Sequence, residues 1–116
     1  MRHAFLLYSD PANAAQMTAD DWDKMKQVFG QYIGAVQAAG VFVDTDWRQP
    51  TMTATTISMA GGEKQIQDGP FAETRETPGG YFVINVPDLD AALDWAWKCP
   101  AVCGGKVQIR ASAMQA

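Results

Sequence analysis

GGYFVINVPDLDAALDWAWKCP (residues 79–100) holds the clearest strand and one of the two clearest helices of the chain, and only Pro87 and Asp88 separate them. The run YFVINV is short, apolar and rich in aromatic and β-branched residues, and two glycines open it, so it reads as a strand. Pro87 and Asp88 then start a helix in which Leu89, Ala92, Leu93, Ala96 and Trp97 share one face and Asp90, Asp94 and Lys98 point to water. Pro100 cannot continue a helix and ends it. A strand leading straight into an amphipathic helix, and from there into the apolar alternation of KVQIR (residues 106–110), is a β-α-β unit.

The first half of the chain repeats that order. RHAFLLY (residues 2–8) is an apolar strand stopped by Ser9, Asp10 and Pro11. After a polar loop, Thr18 caps a long helix in which Trp22, Met25, Phe29, Tyr32, Ile33 and Val36 form one stripe, with Trp22 and Trp97 both expected in the core. Asp20 and Asp21 suit the positive end of its dipole, and Gly40 stands where a left-handed residue stops a helix. VFVDTDW (residues 41–47) follows as a strand. Between the halves, TATTISMAGGEKQIQD (residues 53–68) reads as a hairpin turning at Gly61 and Gly62. The expected fold is an α+β, ferredoxin-like sandwich, β-α-β, hairpin, β-α-β, with both helices on one face of the sheet.

At 116 residues this is one domain, able to bury about two thirds of the surface its unfolded chain exposes. Hydrophobic residues make up 47% and charged residues 19%, with no apolar run long enough to cross a membrane. The first strand follows Met1 almost at once, without room for a signal peptide, so the expected location is cytoplasmic. A net charge of -4, with acids and bases interspersed, argues against nucleic acid as a partner. The central strands carry apolar residues on both sides while helices cover only one, so the open face is expected to meet a second copy, giving a homodimer.

The chemistry-bearing residues are few. His3 is the only histidine and lies in the first strand beside Phe5 and Leu7. Cys99 and Cys103 lack the ligands of a metal site, and no glycine pair has the spacing of a nucleotide-binding loop, so no metal or cofactor is expected. QDGPFAETRETPGG (residues 67–80) supports two readings of Asp68. Its carboxylate caps backbone N–H groups in a turn opened by Pro70, or it stands partly buried at a cavity as a proton carrier. Tyr8 and Asp10 at the end of the first strand, Trp47 and Arg48 at the end of the second, and Phe71 are the candidates for binding a small molecule.

The segment DGPFAETRETPGGYFVINVPDLDAALDWAWKCP resembles the YCII-related family in its DGPF-domain branch, and FLLYSD, MTADDWDKM and TATTI extend the likeness over nearly the whole chain. The resemblance implies a ferredoxin-like fold assembled as a dimeric α+β barrel. In that wider family a histidine on the first helix and an aspartate are regarded as an active-site pair. Asp68 matches the motif's aspartate, whereas no histidine lies between Thr18 and Gly40. Arg75 stands where lysine is frequent. Genes of the family often adjoin those of extracytoplasmic-function sigma factors, which implies an accessory role as the alternative to catalysis.

Overall fold

A computed structural model describes residues 1–47, 54–69 and 77–114. Strand β1 (Arg2–Ser9) leads into a short helix α1 (Pro11–Ala15) and then α2 (Ala19–Ala38), followed by β2 (Phe42–Trp47). A hairpin of β3 (Thr55–Ala60) and β4 (Glu63–Asp68) precedes β5 (Thr77–Asn85), α3 (Leu89–Lys98) and β6 (Lys106–Ala111). The four long-range strands form one antiparallel sheet in the order β2-β5-β1-β6, so each half contributes one central and one edge strand. This is the ferredoxin-like α+β arrangement expected from the two β-α-β units.

Local chemistry explains the element boundaries. Thr18 Oγ1 accepts the Asp21 N–H at 3.2 Å while Asp21 Oδ2 accepts the Thr18 N–H at 3.0 Å, a capping box that satisfies donors the first turn of α2 leaves open. Asp88 caps α3 by accepting the Ala91 N–H at 2.9 Å. Gly61 and Gly62, with φ of 59° and 83°, make the tight turn of the hairpin. One element was not expected: the stretch after Asp10 is a helical turn. Asp10 Oδ1 accepts the Ala12 N–H at 2.9 Å, and Pro11 occupies the first helical position, where its missing N–H does no harm.

The core lies between the sheet and its helices. Phe5 and Leu7 of β1, Phe82 and Ile84 of β5, Phe29, Tyr32 and Val36 of α2, and Ala92, Ala96 and Cys99 pack there. Its aromatic spine runs from Trp47 edge-on to Phe29 (4.7 Å), then Phe29 to Phe82 (6.4 Å) and Phe82 to Tyr32 (5.1 Å). The inward faces of both long helices differ from expectation. Trp22 is 38% exposed and Trp97 74% exposed, so neither belongs to the core. On α3 the small residues Ala92 and Ala96 bring the helix close to the sheet, and Trp95 is the indole turned inward, 6.4 Å from Tyr32 and beneath the Lys98 ammonium at 4.8 Å. Leu89 and Leu93 stay exposed on its flank.

Pairing register identifies the residues of the other sheet face. Ala4 and Leu6 of β1 lie beside Val83 and Tyr81 of β5, half-buried, with none of the described helices over them. Asp44 and Asp46 of β2 pair with Val83 and Tyr81 on one side, and Arg110 and Gln108 of β6 pair with Ala4 and Leu6 on the other. Lys106 continues the β6 side, opposite Tyr8. The open face is therefore an apolar centre flanked by acids on one edge and bases on the other. Tyr81 ties to the acidic edge through its hydroxyl, which donates to Asp44 Oδ2 at 2.8 Å.

Candidate functional site

The ends of β1 and β2 and the starts of β5 and β6 meet at one edge of the sheet, and a cavity of about 330 Å³ opens there. That volume is at the lower end of the range for small-molecule sites. From α2 come Trp22, Met25 and Phe29, which the helical repeat stacks on one side; Met17 lies just ahead of that helix. Leu7, Tyr8, Ser9 and Asp10 come from the end of β1, and Trp47 from the end of β2. Gly79 and Gly80 form the floor at β5, and the segment from Pro100 to Gly105 closes the remaining side.

Gly80 is where the sequence permits this geometry. A Cβ there would lie 2.8 Å from the Asp46 carbonyl oxygen and 2.8 Å from Trp47 Cδ1. The absent side chain lets the Trp47 indole lie across β5, while Phe29 meets it edge-on. At Gly79, by contrast, a Cβ would meet nothing within 4 Å among the described residues. Gly105 allows a similar approach of backbone to backbone, since its Cβ would run into the Tyr8 and Ala101 carbonyl oxygens.

Three of the ligand-binding candidates read from sequence converge on the cavity: Tyr8, Asp10 and Trp47. The Tyr8 hydroxyl itself turns to Gln108 Oε1, 3.5 Å away. Arg48 and Phe71 lie outside the described residues. Asp68 closes β4 as an exposed residue opposite Thr55 and is not in the described lining. Next to it Gly69, with φ of 96°, donates its N–H to the Ala54 carbonyl at 2.6 Å and accepts the Thr56 hydroxyl at 2.9 Å. The turn expected to open at Pro70 lies outside the described residues.

Met17, Trp22, Met25, Phe29, Gly80 and Cys103 were not read as site residues. For Phe29 and Met25 the helical stripe gave no sign that one end of a core-facing helix would border a cavity. The two cysteines have different surroundings. Cys103 is an exposed thiol on the cavity wall, whereas Cys99 is buried and burial pushes its thiol up to about 11. His3 is 3% exposed in the core, and its Nδ1 has no hydrogen-bond partner among the described residues. It does not line the cavity.

Among the described residues no three His, Cys, Asp or Glu side chains gather to hold a metal ion. None of the described helices is long and apolar enough to cross a membrane. What the described walls offer is apolar and aromatic contact, with Ser9, Asp10, Asn13 and Cys103 as the polar groups. A family model for the YCII-related domain matches residues 1–111. An uncharacterised protein of Rhizobium meliloti (strain 1021) is 30% identical over 96 residues, which cover 83% of this chain and 77% of the relative.

Proposed function

The chain belongs to the YCII-related domain family, and from that premise we propose that it is a small cytoplasmic homodimer that binds a small organic molecule in the cavity at the β1–β2 end of the sheet. The observation that carries this reading is the convergence of Tyr8 and Asp10 from the end of β1 with Trp47 from the end of β2 on one largely apolar cavity of about 330 Å³. Mass spectrometry under non-denaturing conditions tests it. A small molecule should travel with the purified protein and be lost from Ala101→Phe, which fills the cavity, at an unchanged melting temperature. A molecule retained by that variant overturns the assignment.

The homodimer is supported by the open sheet face, whose acidic β2 edge and basic β6 edge complement each other when two copies meet about a two-fold axis. Its members would pair face to face, as in a dimeric α+β barrel.

The enzymatic form of the proposal is cofactor-free acid/base chemistry with Asp68, the aspartate of the DGPF motif, carrying the proton, and Tyr8, Asp10, Trp47, Arg48 and Phe71 holding the substrate. It requires Asp68 to reach the bound molecule. Asp68→Asn should abolish any turnover found by metabolite screening with the melting temperature unchanged; a loss of stability instead removes the catalytic role. The exposed position of Asp68, outside the described lining, favours the second reading, a non-catalytic binding or accessory module working with an extracytoplasmic-function sigma-factor regulator. Capture of such a regulator by the tagged protein supports it, and a pull-down that returns no protein partner counts against it.

A further inference from the structure

We infer that the molecule held in the cavity carries a planar aromatic ring, and that Trp47, fixed in place by Gly80 and Phe29, is the platform that selects it. The inference rests on the reading of this cavity as a binding site and specifies what the site takes.

Two indoles border the cavity, and each keeps more than a third of its surface exposed: Trp22 at 38% and Trp47 at 40%. A large aromatic surface left in water beside a cavity is unfavourable unless something covers it. Flexibility distinguishes the walls. The Met25 thioether adapts to many shapes and suits aromatic ring edges, so it fills space without selecting strongly. Trp47 is held from two sides. Phe29 meets it at 4.7 Å with an interplanar angle of 88°, and the missing Gly80 side chain leaves the slot in which Cδ1 sits, 2.8 Å from where a Cβ would be. Phe29 is itself stacked on buried Phe82, so the support extends into the core. A fixed, half-open indole recognises a flat π surface through offset or edge contacts that a saturated ring of equal size cannot reproduce. Gly80 is thus a positioning residue that acts through Trp47.

The test uses the full chain and two probes of nearly equal size, 1-naphthol and its saturated counterpart decahydro-1-naphthol. Affinity is read by calorimetry, and occupancy of the cavity by protection of Cys103 from N-ethylmaleimide, with buried Cys99 as the unreactive internal control. 1-Naphthol should bind roughly three- to tenfold more tightly than the saturated probe, the range expected for one good aromatic contact. Trp47→Leu should erase that preference and Trp47→Phe should keep most of it. Gly80→Ala should lower the preference as well, with melting temperatures recorded throughout. If Gly80→Ala does not fold, the two Trp47 variants decide the matter. Equal binding of the two probes, both protecting Cys103, overturns the aromatic selection and leaves the cavity as a binding site. A preference that survives Trp47→Leu overturns the role of Trp47. If neither probe binds or protects Cys103, both the inference and the binding-site reading fall.

Discussion

Two buried protons make the fold sensitive to alkaline pH. Burial raises the Cys99 thiol from 9.0 to about 11. Burial, followed by the neighbouring Cys99, holds the Tyr32 hydroxyl well above its ordinary range, and that hydroxyl donates to the Trp95 carbonyl at 2.8 Å. The folded chain therefore keeps these protons where the unfolded chain has begun to release them. Their contribution is complete below pH 9.0 and is lost as the pH rises through about 11 for the thiol, with the tyrosine extending the loss upward. The urea midpoint should fall across that window, and Cys99→Ala should show a flatter fall whatever its absolute stability. Asp21 works in the opposite sense at the acid end. Hydrogen bonds from the Thr18 backbone and side chain hold its carboxyl below the ordinary value, so the capping box weakens as the pH drops through that carboxyl's range. His3 is a different case: among the described residues its buried Nδ1 meets no hydrogen-bond partner, and a buried polar atom left so costs stability.

The elements were largely legible, and the exceptions have physical causes. Short apolar runs marked β1 and β5, alternation marked β6 and helical repeats marked α2 and α3, because each buries one face against the same core. The inward face of α3 was displaced because hydrophobicity ranks Leu89, Leu93 and Trp97 above alanine, whereas close packing on the sheet selects Ala92 and Ala96. Helix α1 was hidden in a polar stretch since a Pro-Ala-Asn-Ala-Ala turn has no apolar stripe to announce it. For the site, the turn after β1 and the end of β2 pointed to Tyr8, Asp10 and Trp47. The slot at Gly80 was illegible, because nothing local distinguishes it from Gly79. The hairpin shows pattern without shelter: Ile57 opposes Ile66, both 76% exposed, with Met59 on the same face at 67%. A two-stranded ribbon so exposed has little burial to hold it closed. Amide hydrogen exchange should accordingly be much faster in β3 and β4 than at Phe5, Leu7, Phe82 and Ile84, and equal protection would mean that the ribbon is covered in solution.

The molecule as a whole is thin. It measures 47 × 41 × 19 Å with a radius of gyration of 16.2 Å, against about 13 Å for a compact chain of this length. Its accessible surface is 8247 Å², where a compact monomer of this mass exposes about 6,200 Å². The surplus is larger than the roughly 800 Å² that each partner contributes to a standard interface. Sedimentation equilibrium should report a dimer, and Leu6→Glu, which puts a charge in the apolar centre of the open face, should shift it to monomer while the far-ultraviolet circular dichroism is kept. A wild-type monomer at high concentration would remove the pairing proposal.

On the proposed pairing of two copies, that surplus ties folding to abundance. When much of the favourable burial is made between copies, mass action makes the melting temperature climb with protein concentration and sink on dilution. A cell that expresses little of this chain would hold it in a less durable form than one that expresses a great deal, so gene dosage would adjust its lifetime with no change in sequence.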